Sequence, residues 1–255
     1  MKILFIYESG SPAYGIPAPA DVDLRIVYVP DNLADLFRPK SVPKERKSGL
    51  LDATLVPLDH YLRLLIKPNI NYAEWLYGEH LLAWDEKVED LRTAIKPNWK
   101  DDGIFVLDAV HHFHGMLQHT LYHAKDENYE KPKRLLYALR IYMQGIVFFR
   151  KKELGISFRE LFPLFKPSEG SLLADDCEMQ YEELCQLKMN EEAPNSLTKE
   201  RIKLSFAFLE DRLEEAHQRA KDDGWADSVS ETVKEQVADI YASIVEPSIS
   251  ITMGE

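Results

Sequence analysis

The spacing of apolar residues changes along this chain, and the change limits the fold classes that the sequence can adopt. Residues 3–7 form a short unbroken apolar run, typical of a buried strand, and residues 21–29 are rich in β-branched and aromatic side chains. Residues 50–56 are a third strand candidate. From about residue 104 onward, apolar residues recur at helical spacing instead. The chain is therefore predicted to be α+β: a small mixed sheet with flanking helices, followed by an all-helical region.

Turn-forming residues separate the strand candidates and mark the predicted domains. Glycines and prolines crowd residues 10–19, and residues 30–49 contain three prolines and a glycine, so both segments are predicted connections. A less distinct boundary near residues 95–103 separates a predicted first domain over 1–100 from a predicted helical domain over 101–255. Two later helices are predicted from apolar stripes at Ile202, Phe206, Leu209, Leu213 and Ala216, and at Val233, Val237, Ile240 and Ile244.

Composition excludes several classes of protein. Of the 255 residues, 45% are apolar, which is enough for a full core. The formal charge of -12 argues against a broad basic surface for nucleic acid backbones, but it leaves room for a local basic pocket. Cys177 and Cys185 lack metal-ligand spacing and are expected to be reduced thiols. No apolar run reaches the roughly 18 residues of a membrane span, so a cytoplasmic protein with no membrane partner is expected.

Two aspartates alternate with apolar residues in the second strand candidate. Asp21 and Asp23 are two residues apart, so a strand directs both side chains to one face, about 6–7 Å apart at Cα, with Val22 and Leu24 expected to face the core. Asp52 alternates with apolar residues in the third candidate, and pairing of the two strands would bring it to the other aspartates. Three carboxylates suit one or two Mg²⁺ ions, with Mn²⁺ as the alternative, that assist phosphoryl displacement. For the D-x-D pattern taken alone, a solvated strand end is the competing interpretation.

Gly10 and Ser11 directly follow the first strand candidate. A glycine permits the tight turn in which successive backbone N–H groups bind phosphate oxygens, and a serine hydroxyl adds one more donor. The pair is uninformative by itself. It becomes specific because a D-x-D pattern on a strand follows about ten residues later.

The run GSPAYGIPAPADVDLRIVYV over residues 10–29 resembles the nucleotidyltransferase signature of the DNA polymerase β superfamily. Within that superfamily it looks like the predicted nucleotidyltransferases that are often associated with RNA ligases. Those proteins share an aromatic-glycine pair, here Tyr14-Gly15, and an arginine after the D-x-D, here Arg25. Three further stretches match: DATLVPLDHYLRLLIKPN, which begins at Asp52 and ends at Asn69; NYAEWL, which contains Glu74; and KPKRLLYALR, which contains Lys133 and Arg140.

The resemblance implies a polymerase-β-type fold and a metal-dependent nucleotidyltransferase. Such an enzyme would move a nucleoside monophosphate from ATP or another nucleoside triphosphate to an acceptor hydroxyl, with an RNA end or a protein as candidate acceptor. The implied catalytic and metal-binding residues are Asp21, Asp23 and Asp52, and the implied nucleotide-binding residues are Gly10, Ser11, Tyr14, Arg25, Lys133 and Arg140. Pro12 and Tyr137 stand where the family commonly has arginine and histidine. The alternative is therefore a non-catalytic nucleotide- or RNA-binding module with the same fold.

Positive charge is concentrated in one predicted helix. Residues 131–152 carry seven lysines and arginines and no acidic residue. Helical spacing places Lys133, Tyr137, Arg140 and Gln144 on one face and Leu135, Leu139, Tyr142, Ile146 and Phe149 on the opposite one. A triphosphate would suit the polar face, and an ordinary solvated face is the alternative.

Five of the eight histidines lie in the run HHFHGMLQHTLYH, over residues 111–123. Only His119 and His123 have the i, i+4 spacing of helical metal ligands. A hydrogen-bonded helix face is the preferred interpretation, and metal ligation is the alternative.

Overall fold

The computed structural model describes residues 2–18, 22–30, 44–48, 51–97, 101–169 and 171–245. Contacts divide the chain into two compact units, each built from separate segments. The first unit consists of Met1–Gly10, Ala20–Val106 and Ser228–Glu255, and the second consists of Ser11–Pro19 and Leu107–Asp227. A single division near residue 100 was expected from the sequence, whereas the chain passes between the units more than once.

A mixed five-stranded sheet forms the centre of the first unit. Its strands are β1 (Lys2–Ser9), β2 (Val22–Val29), β3 (Lys44–Ser48), β4 (Leu51–Pro57) and β5 (Leu81–Trp84). The order across the sheet is β3-β4-β2-β1-β5. The β2–β4 pair is parallel, and the other pairs are antiparallel. The predicted α+β class, a mixed sheet with flanking helices followed by helices, is confirmed.

Two strands were not predicted from the sequence. Residues 44–48 were assigned to a long connection, but they form β3, at one edge of the sheet. The segment reads KERKS and lacks apolar alternation, because an edge strand tolerates charged side chains and needs no second partner. The other missed strand, β5, is four residues long and forms the opposite edge.

The described part of the first unit also contains four helices: α1 (Leu58–Leu65), α2 (Ile70–Tyr77), α3 (Lys87–Ile95) and α9 (Glu231–Val245). Aromatic rings join α1 and α2 to the sheet, with Tyr61 edge-on to Phe5 at 5.2 Å and stacked on Trp75 at 5.8 Å. Helix α9 packs against α3, and its predicted stripe is buried at Val233, Val237 and Ile244. The sequence division assigned this helix to the second domain, but its contacts belong to the first unit.

The second unit is helical and is built around one helix. Its helices are α4 (Ala109–Asp126), α5 (Pro132–Lys151), α6 (Phe158–Glu169), α7 (Ser171–Met189) and α8 (Ser196–Asp222), with a short 3-10 turn over Pro12–Tyr14. Helix α5 packs against α4, α6, α7 and α8. The predicted stripe of α8, from Ile202 to Ala216, is buried as expected. No helix in the part of the chain that the structure describes has the length and apolarity to span a bilayer.

The polar face predicted for α5 is buried over most of the helix, from Ala138 onward. Every residue from Ala138 to Phe149 is buried, including Arg140 at 2% exposure and Gln144 at 0%. Four helices surround α5, so its polar face packs against protein as its apolar face does. The remaining positive charges lie at the two ends of the helix.

Candidate active site

Asp23 and Asp52 lie opposite each other on neighbouring strands. Strands β2 and β4 run parallel, and their register pairs Asp23 with Asp52 directly. Neighbouring strands are about 4.8 Å apart, and residues paired in register point to the same face, so the two carboxylates share one site. Both residues are half-buried. Asp21 lies outside the described residues.

The face that carries these aspartates becomes steadily more buried along the strands. Val27 and Val56 lie on it and are fully buried, whereas Asp23 and Asp52 are half-buried nearer the strand starts. Val22 and Leu24 were expected to face the core, but they are only half-buried on the opposite face. The carboxylates therefore lie at the open end of a core-facing surface, where a carboxylate pair without a cation would suffer both repulsion and desolvation.

Hydrogen bonds fix the neighbourhood of the aspartate pair. The Ser9 hydroxyl donates to the Asp23 carbonyl oxygen at 3.3 Å, which ties the end of β1 to β2. Arg25 is paired in register with Thr54, and its guanidinium donates to the Thr54 hydroxyl. A positive charge is thereby held two residues along the strand from Asp23, on the same face.

At Gly10 the backbone comes directly against the Asp23 carboxylate. Gly10 has a φ of 87°, in the left-handed region that favours glycine. A Cβ atom at this position would lie closer than 3.0 Å to Asp23 Oδ2. The glycine therefore serves two purposes, because it makes the turn and leaves room for the carboxylate.

The residues after Gly10 form a tight loop in the second unit. The Ser11 carbonyl oxygen accepts from the backbone N–H groups of Tyr14, at 3.2 Å, and Ile16, at 2.9 Å. The Ser11 side chain is 5% exposed, and its buried hydroxyl has no hydrogen-bond partner among the described residues. A buried hydroxyl without a partner is a potential donor to a bound anion.

Two side chains of α7 hold this loop by its main chain. The Tyr181 hydroxyl donates to the Gly15 carbonyl oxygen at 2.6 Å, and the Lys188 ammonium group donates to the Pro17 carbonyl oxygen. Burial raises the pKa of Tyr181 to about 12. Burial, reinforced by the nearby charge of Lys133, lowers the pKa of Lys188. Sequence reasoning missed both residues, since no local signal links them to a loop about 170 positions earlier.

Arg140 and Tyr14, both predicted to bind nucleotide, contact each other. The Arg140 guanidinium lies 3.8 Å from the centre of the Tyr14 ring, and its NH1 group donates to the Ile156 carbonyl oxygen at 3.3 Å. Tyr14 also contacts the Tyr137 ring edge-on at 5.4 Å. At 2% exposure, Arg140 is placed to support the Tyr14 loop from inside the helical unit. Lys133, by contrast, is exposed at the start of α5.

The donor chemistry of the aspartate pair fits a hard divalent cation. Two carboxylates on adjacent strands offer the oxygen ligands that Mg²⁺ and Mn²⁺ prefer, and Asp21 would add a third. Across the described residues, no group of three or more histidine, cysteine, aspartate or glutamate side chains is close enough to hold a metal ion. Within the histidine run, His119 contacts the His123 ring at 4.7 Å, and His114 pairs with Glu214 at 2.9 Å.

Residues 1–234 match the family described as the RNA repair pathway DNA polymerase beta family. The chain belongs to this family. The match runs from the first strand into α9, so it covers all of the second unit, most of the first, and each of the predicted site residues. Membership supports the resemblance to predicted nucleotidyltransferases of the polymerase β superfamily, and with it a nucleotidyltransferase-like family for this chain.

Several proteins are similar to this member of the RNA repair pathway DNA polymerase beta family. An uncharacterized protein of Methanocaldococcus jannaschii is 29% identical over 253 residues, which is 94% of each chain. The uncharacterized protein YcgL of Bacillus subtilis is 30% identical over 148 residues, which is 55% of this chain and 54% of that one. The crystal structure of a nucleotidyltransferase-like protein from Exiguobacterium sibiricum aligns over 86% of this chain and 72% of that chain, with a TM-score of 0.27 and 13% identity.

Proposed function

We propose that this protein is a metal-dependent nucleotidyltransferase that moves a nucleoside monophosphate from a nucleoside triphosphate to an acceptor hydroxyl, with an RNA end as the leading acceptor. The observation that carries the proposal is the parallel register of β2 and β4, which pairs Asp23 with Asp52 beside the glycine turn. Family membership supports the reaction class.

The proposed reaction is a displacement at the α-phosphorus of the triphosphate. The acceptor oxygen forms the new P–O bond, the bond to the β-phosphate breaks, and pyrophosphate leaves. Asp52 is the proposed acceptor of the hydroxyl proton, because its register places it beside Asp23 at the proposed metal site. Asp21, Asp23 and Asp52 would hold Mg²⁺ or Mn²⁺, which supplies charge stabilisation for the phosphoryl oxygens when it is bound.

Main-chain and side-chain donors of the glycine-serine turn are the proposed phosphate contacts. Gly10 lets the backbone approach the carboxylates. The Ser11 hydroxyl has no hydrogen-bond partner among the described residues, so a phosphate contact would break no existing hydrogen bond that the structure describes. Arg25 is the proposed positive charge on the sheet face, and the Thr54 hydroxyl fixes its orientation. In this proposal Arg140 contributes by holding Tyr14 in position, because its guanidinium group lies against the Tyr14 ring.

Transfer of label from an α-labelled nucleoside triphosphate tests the proposal directly. The purified chain is mixed with Mg²⁺ or Mn²⁺ and with RNA or protein acceptors. Asp23→Asn and Asp52→Asn are each expected to lower the transfer rate by about 100-fold or more, since each removes a ligand worth several kcal/mol in the transition state.

Glu8→Gln is the matched control for these variants. Glu8 lies at the same end of the sheet but is paired in register with Leu24, on the opposite face, and it contacts His80 at 3.3 Å. It is expected to retain activity. Transfer that survives Asp23→Asn combined with Asp52→Asn would overturn the proposal. Tight binding of nucleotide with Mg²⁺ but no release of pyrophosphate would identify a binding module instead.

A further inference from the structure

A pocket of about 420 Å³ lies in the second unit, between the middle of α4 and the start of α5. Its lining residues are His119, Thr120, Lys131, Lys133, Arg134 and Tyr137. The volume falls within the range of about 300–1,000 Å³ that is usual for sites of small molecules and nucleotides. Of the lining residues, only Lys133 belongs to the set predicted from the sequence to bind nucleotide.

The pocket is positively charged in a chain that is strongly acidic. Three lining residues are cations, and Glu127 neutralises part of this charge, through contacts of 2.8 Å with Lys131 and 2.7 Å with Arg134. Those two partners, Arg134 first, lower the pKa of Glu127 to about 2. Lys133 forms no ion pair with any described residue, and its charge is close enough to Lys188 to lower the pKa of that lysine. An excess of positive charge therefore faces the pocket.

The pocket also contains an aromatic ring beside its unpaired cation. The Lys133 ammonium group lies 5.9 Å from the centre of the Tyr137 ring, and Tyr137 is half-buried. A cation and an aromatic surface within one pocket are the two elements that bind single-stranded nucleic acid, since the cation contacts a phosphate and a base stacks on the ring. The Thr120 hydroxyl adds a neutral donor.

The described lining of this pocket lacks the carboxylate ligands of a metal-bound triphosphate site, and the nearby Glu127 is occupied by Lys131 and Arg134. A nucleoside triphosphate in a transferase is bound together with a divalent cation, which requires carboxylate ligands. No carboxylate is among the described residues that line the pocket. A phosphodiester carries a single negative charge and is bound directly by lysine and arginine, without a metal ion.

We infer that this pocket binds a phosphodiester of a single-stranded nucleic acid, with the adjacent base against Tyr137. Lys133 provides the direct phosphate contact, and Lys131 and Arg134 provide the surrounding positive charge. The inference depends on the proposed function only in naming the strand as the acceptor. Binding of the strand itself requires neither a metal ion nor the nucleotidyl transfer reaction.

Binding of a fluorescent, unstructured RNA of about 12 nucleotides tests the inference. Fluorescence anisotropy is measured on the full chain in EDTA, over salt concentrations of about 50–200 mM. Loss of one phosphate contact is expected to reduce the slope of log K against log salt by roughly 0.7, so Lys133→Gln should show that reduction. Tyr137→Leu should weaken binding roughly tenfold, whereas Tyr137→Phe keeps the ring and should bind nearly as the unchanged protein does.

Lys151→Gln is the matched control, because it removes the same charge from the same helix, about 27 Å farther along its axis. Equal effects of Lys133→Gln and Lys151→Gln on the salt slope would overturn the inference. The inference would also be overturned if polyglutamate, or a nucleoside triphosphate in EDTA, displaced the bound RNA as effectively as unlabelled RNA does. A DNA strand of the same sequence distinguishes RNA from DNA as the source of the phosphodiester. Equal affinity for the two strands shows recognition of phosphate and base alone, and weaker affinity for DNA shows a contribution from the 2′-hydroxyl.

The measurements in EDTA separate this inference from the proposed function. Strand binding that depends on Lys133 in a protein without transferase activity supports the pocket and rejects the enzyme. Label transfer that depends on Asp23, with strand binding indifferent to Lys133, rejects the pocket and supports the enzyme.

Discussion

Gly10 is the residue on which the geometry of the aspartate site depends most closely. A side chain here would meet Asp23 Oδ2 at less than 3.0 Å, and the positive φ of 87° is itself unfavourable for other residues. The two effects have different consequences. Unfavourable φ lowers stability, whereas displacement of the carboxylate alters the site.

A pair of glycine-to-alanine variants separates those effects. Gly224 has a comparable φ of 79°, but a Cβ atom added there would have no described neighbour within 4 Å. Both Gly10→Ala and Gly224→Ala are expected to lose roughly 1–2 kcal/mol in the free energy of unfolding from the left-handed backbone. Only Gly10→Ala is expected to lose label transfer as well, by at least about tenfold, because the Asp23 carboxylate must move. Urea unfolding and transfer assays measure the two quantities, and equal transfer by both variants would contradict the expectation.

The half-buried environment of His217 predicts that the free energy of unfolding depends on pH. Burial, reinforced by His114, His111 and Lys221, lowers its pKa, while Glu214 opposes the shift. The ring also packs 5.1 Å from Phe149. Because folding favours the neutral ring, the unfolded chain takes up a proton first as the pH falls. This contribution to stability is therefore present above the unfolded pKa, about 6.5, and is lost as the pH falls towards the folded pKa.

The matching variant is His217→Gln. Between about pH 7.5 and about pH 5.5, its urea midpoint is expected to fall less than that of the unchanged protein. Parallel pH profiles for the two proteins would show that His217 does not contribute in this range.

At the scale of the element, helix α5 packs closely against its neighbours at Gly145. A side chain on Gly145 would lie 2.8 Å from Leu213 Cδ1 and 3.3 Å from Phe113 Cδ1, and both of these residues are fully buried. Glycine at this position permits the close approach of α4 and α8 to α5. Overpacking a well-packed core typically costs about 1–3 kcal/mol.

Gly145→Ala is therefore expected to lower the free energy of unfolding by about 1 kcal/mol, although alanine favours a helix more than glycine does. Gly115→Ala is the control, because Gly115 lies in α4 with open space around it. That change is expected to stabilise the protein by up to about 1 kcal/mol through helix propensity alone. Unfolding in urea measures both, and stabilisation by Gly145→Ala would contradict the close packing.

Strands and long helices with regular apolar spacing could be predicted from the sequence, because their signal is local. The pairing of Asp23 with Asp52 was also within reach, since alternation along two strands fixes which side chains share a face. The charged edge strand β3 was missed because its sequence carries no apolar pattern. The burial of Arg140 was missed for a different reason, because a helical wheel shows two faces of α5 but not the helices that cover both.

The contacts that hold the loop after Ser11 depend on residues too distant for sequence patterns to connect. Tyr181 and Lys188 reach a loop near the start of the chain from α7. Single-sequence periodicity describes neighbours within a few turns, so it could suggest Ser11 and Tyr14 but not what supports them. Asp21 was predicted as a ligand and stays a prediction.

At the scale of the whole molecule, the first unit is built from segments that lie far apart in the sequence. Helix α9 packs on α3, and the Ser230 hydroxyl donates to the Asp101 carboxylate within the same unit. The buried residues Val233, Val237 and Ile244 belong to this packing. The first unit is therefore incomplete until α9 has been synthesised.

Deletion of residues 228–255 is expected to destabilise the first unit on the order of 5 kcal/mol, from the loss of several buried apolar side chains. Hydrogen exchange should accelerate in β1 and α3 but not in α5 and α8. Faster exchange spread evenly over all helices would instead show that the two units unfold together.

The loop after the glycine turn is held by contacts that do not depend on its side chains. Tyr181 and Lys188 both donate to carbonyl oxygens, which every amino acid possesses. Substitution of the half-buried Pro17 or the exposed Ala18 therefore need not release the loop, as long as the hydroxyl and the ammonium group persist on α7. In diverging homologues, positions 181 and 188 should change more slowly than the loop segment they fasten.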